Sequence, residues 1–254
     1  AESSIIGADG SVLAEGSGEG RVKLREKGVI KYSAEVCNPL LWDCDNPNLY
    51  TVKTVLKTNG EEIDENTTRI GFRAVEITVE NGLLLNGKPT FINGVCAHQD
   101  FGLTGLAVPE NIAKYKVALM KEMGANGYRT SHYQQTESYM DAFDEQGFLV
   151  MDEARWFEST KEAMEQLESL IKRDRNRPSV IMWSTSNEEL RHITENGKKL
   201  HKAIAAQIRK YDYTSCLAIL SFLENAQAQE SHPNQNRFVN GVAVHLLFVH
   251  IANS

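Results

Sequence analysis

The chain of 254 residues is 41% hydrophobic and 24% charged, and its formal net charge is −7. This length and apolar content allow a sizeable core in one or two domains. The negative charge disfavours nucleic acid and anionic membranes as partners. The longest apolar run, residues 242–252, is interrupted by two histidines, so we predict no membrane span.

The cysteines favour a reducing compartment. They show neither metal-ligand spacing nor the density of a disulfide framework, and they are Cys37, Cys44, Cys96 and Cys216. Reduced, mostly buried thiols are therefore predicted. The first residues do not form a basic segment followed by an apolar one, so no signal peptide is predicted either. We expect a cytoplasmic location and no cofactor.

The first eighty residues alternate polar and apolar side chains between frequent Gly, Asn and Asp breaks. Strands are predicted at residues 22–24, 30–36 and 50–56, with a turn at Asn59-Gly60. Short alternating strands without a helical period are typical of an antiparallel sandwich of the immunoglobulin-like kind. Since a complete sandwich takes about 100 residues, we predict only part of one.

Beyond residue 83 the pattern changes to alternating strands and helices. A hairpin turn is predicted at Asn86-Gly87, followed by strands at 91–96, 125–130, 148–151 and 180–183 and an apolar run at 217–222. Helices are predicted at 109–123, 136–146, 161–175 and 193–211. Helical spacing predicts that the first helix buries Ile112, Tyr115, Lys116, Leu119, Met120 and Met123.

This alternation requires a parallel sheet with right-handed crossovers. A complete (β/α)8 barrel takes about 250 residues, and fewer than that follow residue 82. We therefore predict a multidomain β plus α/β fold: a partial immunoglobulin-like β-sandwich over residues 1–80, then an incomplete (β/α)8 TIM barrel over residues 81–230. Residues 231–254 stay unassigned, and a truncation product, a frameshifted end and a divergent edge strand are all open for them.

The strongest candidate for chemistry is the end of the fourth predicted strand. The buried run 180–183 leads through a polar cluster to Asn187 and Glu188. Catalytic side chains of parallel barrels lie at such strand ends. A carboxyl group sheltered there would have a raised pKa, as a general acid requires. The alternative is that Glu188 and Glu189 merely favour the N-terminus of the next helix.

Three stretches resemble segments of glycoside hydrolase family 2, the β-galactosidases, β-glucuronidases and β-mannosidases. Residues 173–188, RDRNRPSVIMWSTSNE, are similar to the family's acid/base signature, R-D-x-N-H-P-S-V-I-x-W-S-x-G-N-E. Arg177 stands where the signature has His, and Ser186 where it has Gly. WDCDNPNLY (42–50) and RIGFR (69–73) resemble a sandwich segment and the segment leading into the barrel. Trp42 and Tyr50 are expected to pack in the core.

The resemblance implies a retaining glycosidase. Glu188 matches the general acid/base, and Asn187 matches the residue that holds the sugar 2-hydroxyl group. A second glutamate attacks the anomeric carbon, and the two carboxyl groups lie about 5–5.5 Å apart.

Four further residues match positions around the sugar. His98 and His132 match residues that line the site, although structural imidazoles at strand ends are the alternative. Arg129 matches a basic residue that would keep the nucleophile ionised. Asp100 is a weaker candidate for bonding sugar hydroxyl groups.

Two nearby pairs are less specific. Asp152 and Glu153 are adjacent in a strand, so only one can face the barrel interior, and we interpret them as supporting contacts. Trp156-Phe157 can stack on a sugar or pack in the loop. Glu158 is not followed by a histidine, so no metal site is predicted.

The nucleophile is the gap in this assignment. The acidic residues after Glu188 lie in no strand-end context that fits it, and they are Glu189, Glu195, Asp212, Glu224 and Glu230. We therefore expect it to be absent from this chain. The predicted function is hydrolysis of terminal β-D-galactosides. An inactive or sugar-binding remnant, or specificity for β-glucuronides or β-mannosides, is the alternative. A carbohydrate is the expected ligand, and a homo-oligomer formed through an exposed sheet edge stays open.

Overall fold

The computed structural model describes residues 1–78, 80–187 and 189–212, and the backbone of residues 216–218 and 247–250. It contains two units, a four-stranded antiparallel sheet followed by a parallel sheet covered by helices. None of the helices in these ranges has the length and apolar character needed to span a bilayer.

The N-terminal sheet has the strand order β2–β1–β3–β4, and its strands are β1 (Glu2–Ile6), β2 (Val12–Ser17), β3 (Tyr50–Thr58) and β4 (Glu61–Ile70). The predicted turn between β3 and β4 is confirmed. Asn59 and Gly60 both have positive φ angles, 53° and 88°, which the tight hairpin requires. The sheet is one layer of the predicted partial sandwich.

The strands predicted at residues 22–24 and 30–36 are wrong. Both segments lack strand structure, and Leu24 is 92% exposed. The second segment does lie over the sheet, because Ile30 and Tyr32 line a cavity together with Ile5 of β1. A strand needs a hydrogen-bonded neighbour, and neither segment extends the ladder beyond β2.

A small three-stranded sheet connects the two units. It comprises β5 (Val75–Thr78), β6 (Gly82–Leu85) and β7 (Lys88–Pro89), and the last two form the predicted hairpin at Asn86-Gly87. Leu83 and Leu85 pack with Leu149, Met151 and Ile181 in one apolar cluster. This cluster fills the inner side of the parallel sheet below the strand ends.

The parallel sheet has the strand order β12–β11–β10–β9–β8–β13. Its strands are β8 (Asn93–Ala97), β9 (Gly127–Thr130), β10 (Leu149–Glu153), β11 (Val180–Ser184), β12 (Cys216–Ala218) and β13 (Leu247–His250). The helices between them are α1 (Glu110–Glu122), α2 (Glu137–Gln146), α3 (Lys161–Asp174) and α4 (Glu195–Tyr211), with a short 3₁₀ helix at Leu190–Ile193. Every pair in this sheet is parallel, which confirms the predicted incomplete barrel.

The buried face of α1 differs from the prediction. Ala113, Val117 and Met120 are buried, whereas Tyr115 is 56% and Met123 68% exposed. Only Met120 is common to the predicted and observed sets. Ala113, Val117 and Met120 are separated by four and three residues, so they form one helical face that packs in the core.

The three stretches that carry the family resemblance meet in space. The Arg73 guanidinium of RIGFR donates to the carbonyl oxygens of Pro178 and Val180 in the signature. Trp42 is fully buried, as expected, and its indole N–H donates to Asp144 O over 2.9 Å. These contacts fix the N-terminal unit against the barrel.

The end of α3 is a network of ion pairs. Arg177 lies within 2.7–2.9 Å of carboxylate oxygens of Asp141, Asp144 and Asp174. Arg173 also pairs with Asp174. Arg177 stands where the family signature has histidine. Its ion pairs stabilise the segment at the start of β11 and are not part of the site.

The last described segment is β13, which pairs in parallel with β8 from Leu247↔Asn93 to His250↔Cys96. Of the alternatives for the tail, an edge strand fits these four residues. Residues 219–222 of the apolar run predicted at 217–222 lie outside the described residues.

Candidate active site

Side chains from four neighbouring strands meet at one edge of the parallel sheet. His98 follows β8, Arg129 lies in β9, and Glu153 ends β10. Asn187 follows β11 three residues after its end. The strands are parallel and in sequential order, so their carboxyl ends form a single site.

The centre of the site is a buried ion pair between Arg129 and Glu153. Arg129 Nε donates to Glu153 Oε2 over 2.8 Å, and Nη2 donates to Oε1 over 3.0 Å. The side chain of Glu153 is fully buried and that of Arg129 is 10% exposed. Ser184 Oγ also donates to Glu153 Oε2 over 2.8 Å. Two donors therefore hold the carboxylate in one orientation.

Arg129 also holds Asn187. Its Nη2 donates to Asn187 Oδ1 over 2.7 Å, so the amide oxygen is occupied and the amide NH₂ group is presented as a donor. This arrangement changes the predicted role of Arg129. Because Glu153 already balances its charge, the guanidinium orients neighbouring groups more than it supplies free positive charge to a nucleophile.

The two histidines lie side by side at the mouth of the site. Their ring centroids are 5.5 Å apart at an interplanar angle of 82°. His132 Nδ1 lies 3.0 Å from Arg129 Nη2 and 3.2 Å from Glu153 Oε1. His98 Nδ1 lies 3.3 Å from the hydroxyl of Tyr133 and is exposed. Partly exposed, edge-on imidazoles can contact a ligand.

Asp100 lies at the start of the loop after β8. Its backbone carbonyl accepts from Lys116 Nζ over 3.1 Å, and so does that of His98 over 2.8 Å. These bonds anchor the loop to α1, and the predicted role of the Asp100 carboxylate stays a prediction. Glu188 lies outside the described residues, so its predicted burial and raised pKa stay predictions as well.

The side chains of Asp152 and Glu153 lie on opposite faces of β10, as strand alternation requires. Glu153 shares its face with Leu149 and Met151, on the inner side of the sheet. Asp152 faces the helices, where Thr130 Oγ1 donates to it over 3.1 Å. Burial, and then the neighbouring Asp174 carboxylate, raise the pKa of Asp152 well above its usual range. Because Leu149, Val150 and Met151 make both faces of the strand apolar, the sequence does not show which of the two carboxylates lies in the site.

Trp156 and Phe157 have different environments. Phe157 is 1% exposed and packs against His192 and His201, whereas Trp156 is 43% exposed. Packing is therefore the role of Phe157. Stacking on a sugar stays open for Trp156.

The downstream carboxylates that the structure describes offer no evident nucleophile. Glu195 is exposed and pairs with Lys198, and Asp212 accepts from Trp183 Nε1 over 2.8 Å in the core beneath the helices. Glu224 and Glu230 lie outside the described residues. Across the described part of the chain, no three His, Cys, Asp or Glu side chains are arranged to hold a metal ion.

The family models match both units of the fold. The model of glycosyl hydrolases family 2 matches residues 2–73, and the model of that family's TIM barrel domain matches residues 75–160 and 157–236. The sequence is 39% identical over 202 residues to a β-galactosidase of Bacteroides ovatus, covering 74% of this chain and 24% of that protein. It is 38% identical over 166 residues to a putative β-glucuronidase of Formosa agariphila, covering 61% and 16%.

Solved structures give the same result. A glycosyl hydrolase family 2 member from Bacteroides cellulosilyticus has a TM-score of 0.76 at 30% identity, covering 86% of this chain and 30% of that one. A β-glucuronidase from Ruminococcus gnavus in complex with an N1-substituted uronic isofagomine has a TM-score of 0.72 at 29% identity, covering 86% and 37%. The chain thus spans well under half the length of each relative. Because the family models together match most of its residues, the chain belongs to glycosyl hydrolase family 2.

Proposed function

We propose that this chain supplies the acid/base side of the active site of a retaining β-glycosidase whose substrates are terminal β-D-galactosides. Glu188 is the general acid/base. The sugar is held by Asn187, His132, His98, Arg129 and Asp100. The observation that carries the proposal is the 2.7 Å hydrogen bond from Arg129 to Asn187, because it fixes the residue directly before Glu188 in the sequence.

The reaction has two steps. In the first, the Glu188 carboxyl group donates its proton to the glycosidic oxygen as the bond to the anomeric carbon breaks, and a second glutamate bonds to that carbon. In the second, the Glu188 carboxylate takes a proton from water, and the water oxygen displaces the glutamate. The anomeric configuration is retained because the carbon is attacked twice.

The amide of Asn187 supports the sugar during both steps. Its oxygen is occupied by Arg129, so its NH₂ group can donate to the sugar 2-hydroxyl. That contact strengthens as positive charge develops on the sugar ring in the transition state. His132 and His98, edge-on at the mouth, offer ring nitrogens to the remaining hydroxyl groups.

Glu153 is not suited to the role of nucleophile. Its two oxygens are engaged by Arg129, Ser184 and His132, and its side chain is fully buried. A retaining nucleophile must instead lie about 5–5.5 Å from the acid/base with a free oxygen facing the sugar. Among the described residues, we assign the nucleophile to none.

Two alternatives have specific support. The name of the Formosa agariphila relative and that of the Ruminococcus gnavus structure favour a β-glucuronide as substrate, and a β-mannoside is the third option. The second alternative is a sugar-binding chain without turnover. It is favoured by the lack of an evident nucleophile among the described carboxylates.

The test uses the longest polypeptide that contains these 254 residues, so that the second glutamate can be supplied, with nitrophenyl β-D-galactoside and nitrophenyl β-D-glucuronide as substrates. Glu188→Gln should lower kcat by about 10²–10⁴-fold, whereas the neighbouring control Glu189→Gln should leave kcat nearly unchanged. A dinitrophenyl galactoside, whose leaving group needs little protonation, should restore the first step in Glu188→Gln.

Undiminished hydrolysis of the nitrophenyl galactoside by Glu188→Gln contradicts the assignment. Faster hydrolysis of the glucuronide than of the galactoside contradicts the proposed substrate. If the unaltered chain hydrolyses neither compound, saturation-transfer NMR with isopropyl β-D-thiogalactoside decides whether it binds sugar without turnover.

A further inference from the structure

Two buried histidines lie directly behind the segment that carries Asn187. His192 belongs to the 3₁₀ helix and His201 to α4, and they are 7% and 9% exposed. Their ring centroids are 4.8 Å apart, and the Phe157 ring lies 4.6 Å from one and 4.5 Å from the other. None of these three side chains takes part in the chemistry described above.

The histidines contact two consecutive residues after β11. Ser186 Oγ lies 2.7 Å from His192 Nε2, and Thr185 Oγ1 lies 3.2 Å from His201 Nδ1. Thr185 and Ser186 are each 1% exposed. The strand pairing of β11 ends at Ser184, so the ladder no longer fixes the backbone at these two positions.

The same segment is held from the opposite side by the site. Ser184 Oγ lies 3.2 Å from Ser186 O, and Asn187 Oδ1 accepts from Arg129. The two residues between Ser184 and Asn187 are therefore fixed between the ion pair in front and the imidazoles behind. Nothing in the reaction requires histidine at positions 192 and 201, yet both side chains contact this segment.

We propose that His192 and His201 are positioning residues, which fix Thr185 and Ser186 and thereby direct Asn187 toward Arg129 and the sugar. The inference rests on the proposed function, because orienting Asn187 matters for catalysis only if that residue belongs to the sugar site.

The distances make the coupling direct. The Arg129–Asn187 bond is 2.7 Å long, and N–H···O bonds weaken beyond about 3.2 Å. A shift of about half an ångström in the position of Asn187 would therefore bring this bond to the limit of the normal range. Misplacement of a reacting or binding group by about 1 Å can cost about 100-fold in rate.

The charge state of the pair is consistent with this role. Burial, and to a smaller degree His192, lower the pKa of His201 to about 4. A neutral His201 can pack against His192 and Phe157 without repulsion at neutral pH. It can also keep a fixed hydrogen bond to Thr185.

The experiment compares variants of the full chain by NMR and by kinetics. His192→Leu, His201→Leu and Ser186→Ala each remove one anchor. His192→Gln and His201→Asn are the conservative variants, because their amide nitrogens approximate the positions of Nε2 and Nδ1. Ile208→Ala is the control for lost packing, since Ile208 is 1% exposed on the same helix as His201.

The main readout is the pair of side-chain signals from the Asn187 amide and Arg129 Nε–H in nitrogen-15 spectra at neutral pH. The leucine variants and Ser186→Ala should shift or broaden both signals, and the conservative variants should restore them. Ile208→Ala should lower the Tm but leave both signals in place. If the leucine variants do not fold, Ser186→Ala carries the test.

Kinetics with nitrophenyl β-D-galactoside supply the second readout. We expect the three disruptive variants to lower kcat by about 10- to 100-fold with little change in KM, because the lost contact strengthens in the transition state. Signals that stay in place in all three disruptive variants overturn the proposal. If the longest polypeptide that contains these residues has no turnover, the proposed function fails, and the NMR comparison still decides whether the histidines orient Asn187.

Discussion

Arg129 Nη2 donates to Asn187 Oδ1 over 2.7 Å and so joins two positions that are 58 residues apart in the sequence. The bond links the end of β9 to the segment after β11, across the intervening strand β10. Glu153, at the end of β10, balances the charge of the same guanidinium. Three neighbouring strands therefore share one buried network. A substitution of any one of these side chains should displace the other two.

The first prediction concerns this buried ion pair. Arg129→Met leaves the Glu153 carboxylate buried without its partner, and we expect the free energy of unfolding to fall by about 3–5 kcal/mol. Adding Glu153→Leu should recover most of the loss, because the uncompensated charge is then removed. Urea unfolding measures both effects.

The matched control is the exposed pair Lys53–Glu65, whose side chains are 44% and 51% exposed. Lys53→Met should have little effect on stability, because an exposed ion pair gains little over its hydrated charges. Equal losses for Arg129→Met and Lys53→Met would show that the Arg129–Glu153 pair is not shielded from water.

The second prediction concerns the pH dependence of stability. The pKa of His201 is lowered from 6.5 to about 4, mainly by burial and then by His192. The unfolded chain therefore binds this proton more tightly than the folded chain. Above pH 6.5 the titration of His201 does not change the free energy of unfolding. As the pH falls from about 6.5 to about 4, it lowers this free energy by up to about 3 kcal/mol.

The comparison with His201→Asn isolates this effect, since titrations elsewhere in the chain cancel. The stability of the unaltered chain minus that of His201→Asn should decrease between pH 7 and pH 4 and stay constant above pH 7. A difference that does not change over this range would mean that folding does not lower the pKa of His201.

The third prediction concerns the carboxyl group of Asp152. It is buried beside Asp174, and within the described residues its Oδ2 has no hydrogen-bond partner. A pKa raised on folding means that the group contributes stability at low pH and loses it as the pH rises above its usual range near 3.8. Asp152→Asn stays neutral and can donate to Asp174, so it should stabilise the protein by about 1–3 kcal/mol at pH 8.

The gain from Asp152→Asn should shrink as the pH is lowered toward 4. Asp45→Asn, at an exposed position, removes the same charge and should have little effect at any pH. A gain of equal size at pH 4 and pH 8 would rule out the raised pKa as its cause.

The fourth prediction concerns the contact between RIGFR and the signature segment. A Cβ atom on Gly71 would lie 2.7 Å from Pro178 Cβ and 3.0 Å from Trp42 Cβ. Neither the proline ring nor the buried indole can move away cheaply, so Gly71→Ala should cost about 1–3 kcal/mol. Gly102→Ala is the control, because a Cβ there would meet no atom within 4 Å. Unfolding midpoints that fall equally would contradict the close approach.

Most of the barrel could be predicted from the sequence because its signals are local. Strands, helices and the Asn86-Gly87 turn follow from periodicity and from glycines such as Gly147, which ends α2 with a φ angle of 71°. The N-terminal errors have another cause. Residues 22–24 and 30–36 alternate like strands, but whether a segment becomes a strand depends on a partner elsewhere in the chain.

The site was predicted in part. The resemblance selected Asn187, His132, His98 and Arg129, and the structure brings these four side chains together around Glu153. The importance of Glu153 and of the two buried histidines was not predicted. Each has a partner that is distant in the sequence: Arg129 is 24 residues from Glu153, and Thr185 is 16 residues from His201. Only the folded chain therefore shows which polar groups bind one another.

The parallel pairing of β13 with β8 has a consequence for biosynthesis. One side of β8 is hydrogen-bonded to β9, the next strand in the sequence. The other side pairs with Leu247–His250, which are synthesised much later. Joining segments so distant in sequence costs loop-closure entropy before any hydrogen bond forms. On the ribosome, the opening strand of the barrel therefore keeps one side unpaired until residues 247–250 have emerged, and a chaperone that shields that side should raise the yield of folded protein.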